Sequence, residues 1–105
     1  MNVQLKKGVL DLCVLHLLIE KPTYGYDIYQ QMKEVLNISE STIYPILRKM
    51  VQESWLTTYL EASPEGPPRK YFSITKQGHQ AHQALYQEWS EFIESIATLL
   101  GRVSP

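Results

Sequence analysis

Side chains suited to meet a phosphate or a base edge gather at two places in this 105-residue chain. The first is Ser41, Thr42, Tyr44, Arg48 and Lys49, with hydroxyls and an aromatic leading and cations following. Hydroxyls donate to phosphate oxygens, and Arg or Lys pairs with phosphates or with the acceptor edge of guanine, so this mixture suits a duplex groove. The same residue types also make ordinary solvated surface, and only their place in a fold separates the two. The second is Arg69-Lys70, a cation pair that could straddle a phosphate or enter a minor groove if a hairpin tip carries it. A third group is aromatic and apolar: Trp89 lies between Glu88 and Phe92, one turn after Leu85. Such a tryptophan either packs an interface or stacks on a planar cationic or phenolic compound.

Signs of catalysis are weak. His79 and His82, three apart, could share a helix face as metal ligands, but no further Cys or acidic ligand lies at matching spacing, and His16 is remote in sequence. There is no phosphate loop, nucleophile elbow or paired-carboxylate arrangement. No catalytic residue, metal site or cofactor is expected. Cys13 is the single cysteine, so it has no intrachain disulfide partner, and it reads as a small core residue within the apolar stretch Val9 to Ile19.

The elements that must position these groups follow from hydrophobic period and stop signals. Residues 4 to 20 form a helix apolar on more than one side, carrying Leu5, Val9, Leu10, Leu12, Val14, Leu15, Leu17, Leu18 and Ile19, which calls for more than one packing partner. Lys21-Pro22-Thr23 ends it, with Thr23 as the next N-cap. Tyr24 to Leu36 reads as a second helix with Ile28, Met32, Val35 and Leu36 inward, closed by Asn37 in the left-handed conformation. A third starts at Ser39 or Ser41, with Ile43, Ile46, Leu47, Met50 and Val51 inward. Pro45 argues for a late start or a local kink. The short joint makes this pair a helix-turn-helix.

From residue 55 the period changes to two. Leu56 to Glu61 and Tyr71 to Thr75 read as strands, joined by Ser63-Pro64-Glu65-Gly66-Pro67-Pro68 as turn material that does not continue a ladder. Thr75 then caps a last helix to about Leu100, whose Leu85, Trp89, Phe92, Ile96, Leu99 and Val103 line one seam. The fold class is therefore mostly α with a small β-hairpin: a winged helix-turn-helix over residues 1–75 and a C-terminal dimerisation helix over 76–105. Leu85, Trp89, Phe92, Ile96 and Leu99 are the expected dimer contacts, and a homodimer is the expected state.

Three motifs in order along the chain, Tyr24-Gly25-Tyr26-Asp27-Ile28, Ser39-Glu40-Ser41-Thr42-Ile43-Tyr44-Pro45-Ile46-Leu47, and Gly66-Pro67-Pro68-Arg69-Lys70-Tyr71-Phe72 with Ile74-Thr75-Lys76-Gln77-Gly78, resemble the PadR family of bacterial transcriptional regulators. The resemblance implies a dimeric winged-helix repressor on a palindromic double-stranded DNA operator, in a short subgroup with one C-terminal helix. It also implies that Tyr44 contacts phosphate and that Trp89, with Phe92 and Leu85, matches the place where some members stack small aromatic effectors. Two departures stand out: Pro67-Pro68 replaces a common glycine-arginine pair, and Ser54 replaces a glycine.

Charge leaves a second class open. The chain carries a formal net charge of -1, which fits a winged-helix module that binds protein and no DNA. By region, Asn37 to Lys76 holds Arg48, Lys49, Arg69, Lys70 and Lys76 against Glu40, Glu53, Glu61 and Glu65, a net of +1, whereas Gln77 to Leu100 holds only Glu88, Glu91 and Glu94, a net of -3. The acidity is thus concentrated on the last helix. No apolar run reaches the roughly 18 to 20 residues of a membrane span and no signal peptide is recognisable, so a soluble, cytoplasmic protein is expected.

Overall fold

The first helix, α1 (Val3–Glu20), meets the demand of its many apolar sides by packing against α2 (Gly25–Leu36), α4 (Lys76–Leu99) and strand β3 (Gly66–Ile74). The structure, a computed structural model, describes residues 3–102; the Val103 of the proposed seam and the side chain of Leu5 lie outside what it describes. Leu10, Val14, Leu15 and Leu18 of α1 are buried with Ile28, Met32, Ile43, Leu47, Met50, Leu56 and Phe72 in one core. Each such side chain contributes about 1.5–3 kcal/mol relative to exposure.

Thr23 does not cap α2. Thr23 and Tyr24 form a short strand, β1, pairing antiparallel with Phe72 and Tyr71. Thr23 is buried with its hydroxyl donating to the Lys21 carbonyl at 3.1 Å, and the N-cap position falls to Tyr24 without a side-chain bond. A two-residue strand carries no period, and its partner is distant in sequence, so local pattern could not disclose it. α2 buries Ile28, Tyr29 and Met32 and ends at Asn37, whose φ of 55° is left-handed as its type suggested. Val35 and Leu36 are not inward: Val35 is 81% exposed. They lie past the end of the core and border an open apolar hollow of about 340 Å³ with Leu12, Leu17 and Tyr86.

Helix α3 (Glu40–Gln52) begins directly after Ser39, so Pro45 stands inside it and the late start does not occur. Proline has no N–H for the Ser41 carbonyl, but both residues are exposed, and water can take that bond. Ile43, Leu47 and Met50 form the buried stripe, Ile46 is half-buried, and Val51 turns outward. The next turn passes through Ser54 at φ 64°, a left-handed position that explains why a glycine is favoured there.

β2 (Leu56–Ser63) and β3 form a longer hairpin than the sequence suggests. The sheet order is β1-β3-β2, and Ser63 pairs with Gly66, so Pro67 and Pro68 belong to β3 and the turn shrinks to Pro64-Glu65. The ladder is irregular between Glu61 and Ser63, and β1 reaches only Tyr71 and Phe72. The prolines therefore sit beside a bulge on a stretch with one free side, the setting in which strands admit proline.

Thr75 caps α4 as its sequence implied: its hydroxyl accepts the Gly78 N–H at 3.0 Å and donates to the Ser54 carbonyl at 2.6 Å, while its own N–H reaches the Trp55 carbonyl at 3.0 Å. These bonds weld the first turn of α4 to the root of the hairpin. Beyond Leu85 the helix leaves the core, which accounts for a radius of gyration of 15.3 Å against roughly 13 Å for a compact chain of this length. Among the described residues, four helices and a three-stranded antiparallel sheet make a winged helix-turn-helix with a projecting last helix.

Candidate nucleic-acid interface

The buried stripe of α3 fixes which of its side chains face outward. With Ile43, Leu47 and Met50 inside, Ser41 and Arg48 are exposed, and Thr42 and Tyr44 are half-buried at the margin. At the N-terminus Ser39 Oγ bonds Ser41 Oγ at 2.9 Å and Thr42 Oγ1 at 3.2 Å, so the hydroxyls form a linked set at the start of the helix. There the unpaired backbone N–H groups and the positive end of the helix dipole also favour an anion.

Strand alternation decides the wing. Thr58 faces Phe72 across the ladder, and Lys70 lies two residues from Phe72 on the same face, turned towards α3. A groove of about 430 Å³ results, bordered by Tyr44 and Arg48 of α3, Lys70 and Thr58 of the wing, and Tyr24 and Tyr26 at the start of α2. Gly25 lets its floor close: a Cβ there would stand 3.1 Å from Phe72 Cε1 and 3.7 Å from Tyr44 Cε1. Burial, followed by the Glu40 carboxylate, pushes the Tyr44 phenol above its ordinary pKa. It therefore remains a neutral donor at any physiological pH.

Two of the expected cations are elsewhere. Arg69, adjacent to Lys70 and so on the opposite face of β3, has its guanidinium carbon 5.0 Å from the Tyr24 ring centroid. Lys49 turns inward: its ammonium pairs with buried Asp11 of α1 and lies 6.0 Å from the Trp55 ring centroid. Sequence reading missed Thr58 and Gln52 as groove residues. The two-residue step from Lys70 to Phe72, opposite Thr58, was the available signal for the first.

On α4 the seam divides. Leu85 packs on the core of its own chain, and Trp89 rests against Gly8 of α1, where a Cβ would meet the indole at 2.9 Å. Phe92 meets Trp89 edge-on at 5.8 Å but is 54% exposed, Ile96 is 40% exposed and Leu99 86%. Ile93 and Leu100, absent from the sequence-based seam, are exposed beside them. A cleft of about 450 Å³ opens between Glu88, Trp89, Glu91, Phe92 and Ser95. His16, remote in sequence from His82, meets it in the fold: His16 Nδ1 and His82 Nε2 lie 2.9 Å apart across the α1–α4 contact. Burial first, then His16 and His79, lowers the His82 pKa. Burial also raises that of the half-buried Cys13 thiol. Among the described residues, no group of three or more His, Cys, Asp or Glu is placed to hold a metal, and no helix is long and apolar enough to cross a membrane.

The same arrangement recurs in known proteins. A transcriptional regulator from Streptococcus is 36% identical, with 91% of this chain and 96% of that one aligned at a TM-score of 0.80. A PadR-like transcriptional regulator from Bacillus cereus is 33% identical, covering 92% and 96% at a TM-score of 0.81. An uncharacterised protein of Lysinibacillus sphaericus is 33% identical over 94 residues, 86% of each chain. The sequence model of the transcriptional regulator PadR-like family matches residues 14–84, from the core face of α1 through helix-turn-helix and wing into α4. Fold, motifs and relatives agree, and the chain belongs to the PadR-like family of transcriptional regulators.

Proposed function

We propose that the protein is a cytoplasmic, non-enzymatic transcriptional repressor that binds a palindromic operator as a homodimer. The groove that Tyr44 and Arg48 of α3 share with Lys70 of the wing carries this reading. α3 enters the major groove with Ser41, Thr42 and Tyr44 leading. Arg48 and Lys70 take phosphates on either side of the cleft, and Arg69 reaches backbone from the outer face of the wing. Two subunits then read half-sites about 34 Å, or a small multiple of that, apart. The exposure of Phe92, Ile96 and Leu99, large apolar side chains that the described residues leave 40–86% open, supports the dimer, with Leu85 and Trp89 at its inner margin. A planar cationic effector between Trp89 and Phe92, beside Glu88 and Glu91, releases the operator if it favours a dimer with different half-site spacing.

Binding to DNA from the protein's own promoter region tests the reading. Affinity falls steeply with salt, and Arg48→Ala and Lys70→Ala each weaken it about tenfold, the salt slope falling by about 1 for a lost phosphate contact. Salt-independent affinity would instead favour a protein-binding module. Ile96→Asp and Leu99→Asp, both exposed, yield a folded monomer in sedimentation, and a persisting dimer refutes the proposed interface. With Trp55→Phe in place, absence of Trp89 quenching across a panel of aromatic cations rejects the effector.

A further inference from the structure

Aspartate is rarely buried unless paired, yet Asp11 lies inside the core face of α1 between Leu10 and Val14. One carboxylate oxygen takes Lys49 Nζ at 2.5 Å; the other is buried and has no hydrogen-bond partner among the described residues. Lys49 is held on a second side by the Trp55 ring at the root of β2. Resting on the DNA-binding reading above, we propose that Asp11 and Lys49 are positioning residues whose ion pair sets the roll of α3 against α1, so that Lys49 governs operator discrimination without touching DNA.

Three physical points carry this. Among the described residues, this pair is the one side-chain hydrogen bond joining α1 to α3. An ion pair between a buried carboxylate and an ammonium 34% exposed adds little net stability over apolar packing, but in some proteins such a pair fixes one arrangement where aliphatic contacts tolerate several, and that is the role assigned to it here. Lys49 also adjoins Arg48 in the helix, so the angle at which one turns inward dictates the angle at which the other meets the groove. At a helix radius of about 5–6 Å, a 20° roll moves an outward side chain by about 2 Å. That exceeds the spread of a good hydrogen bond severalfold. The same α1 holds α4 through Trp89 on Gly8 and His16 on His82, so the pair lies between the projecting helix and the recognition helix.

The test compares Lys49→Met, Asp11→Asn and Lys49→Arg with the parent on promoter DNA and on a scrambled duplex across a salt series. Lys49→Met and Asp11→Asn lower the ratio of specific to non-specific affinity about tenfold, the size of a misread base pair, with the parental salt slope kept; Lys49→Arg restores the ratio. A slope shallower by about 0.9 in Lys49→Met, with Asp11→Asn like the parent, makes Lys49 a phosphate contact and overturns the proposal. So does a parental ratio in both variants. A parent with no preference for promoter DNA refutes the DNA-binding reading instead, and the roll is then judged without DNA. Spin labels at exposed positions 20 and 52, in a Cys13→Ala background diluted with unlabelled chain, give a distance distribution that broadens in Lys49→Met and Asp11→Asn and is parental in Lys49→Arg. An unchanged width overturns the proposal whatever the DNA result. Should Lys49→Met fail to fold, the isosteric Asp11→Asn carries both readouts.

Discussion

Replacing Gly78 by alanine should destabilise the protein, although helix propensity predicts a gain of about 1 kcal/mol. Gly78 lies in the first turn of α4, buried against the hairpin root. A Cβ there would fall far inside contact distance of the Trp55 carbonyl oxygen, 2.7 Å from Ile74 Cγ1 and 3.1 Å from the Trp55 carbonyl carbon. Carbon pairs rest at about 3.5–4.0 Å, so α4 must back away by about 1 Å. The obstacle is backbone, held by the Thr75 N–H, and it cannot rotate aside as a side chain would. Overpacking of this kind costs about 1–3 kcal/mol, here near the upper end, and the net loss is about 2 kcal/mol. For a domain of this size that lowers Tm by roughly 8–16 °C. The leverage matters further. An opening of about 1 Å over one 5.4 Å turn tilts the helix by about 10°, and the far end of its 24 residues, about 36 Å away, swings by about 6 Å. Thermal and urea unfolding followed by circular dichroism measures the loss. A Tm equal to or above the parent's refutes the close approach at this junction.

Two further outcomes follow from the α1–α4 contact. Gly8→Ala meets a side chain, with Trp89 Cζ2, Nε1 and Cε2 at 2.9, 3.0 and 3.2 Å, so the indole swings away. In a Trp55→Phe background the emission of Trp89 shifts to longer wavelength while stability changes by less than about 1 kcal/mol; unchanged emission places the indole elsewhere. The His82 pKa is depressed when folded, so the unfolded chain binds more protons as pH drops below the ordinary histidine value near 6.5. Its contribution is complete above that value and is lost as pH falls through the lower folded pKa. A urea series from pH 7.5 to 5 shows stability declining, and His82→Gln flattens that decline; an equal slope in the variant discounts the imidazole pair.

Much of the frame is legible in the sequence because it is local. The stop at Asn37, the N-cap at Thr75, the period of Ile43, Leu47 and Met50, and the switch to alternation after Trp55 each depend on neighbours a few residues away. What escaped depends on distant partners. β1 exists because Phe72 and Tyr71 lie beside it, and Pro67-Pro68 enter a strand because one side of β3 is free there. The site follows the same rule. Arg48 and Lys70, 22 residues apart, border one groove only because the wing folds back beside α3, and Lys49 is claimed by a carboxylate 38 residues earlier that no local pattern connects to it. Trp89 likewise fits the seam on spacing, while its contact with Gly8 spans most of the chain.

The sheet order also bears on how the protein behaves when concentrated. β2 has β3 on one side and, among the described residues, no strand on the other, leaving a row of backbone donors and acceptors rich in threonine, tyrosine and leucine. Such an edge is a template onto which a strand from another molecule can add. Here the uncharged, regularly paired stretch is confined to Leu56–Leu60: Glu61 follows at once, and the ladder loses register before Ser63. That is shorter than the roughly six or seven residues from which amyloid-like stacking is built. A regularised wing, with the irregularity removed and Glu61 made apolar, would lengthen the open edge past that threshold and turn the regulator into a self-templating chain.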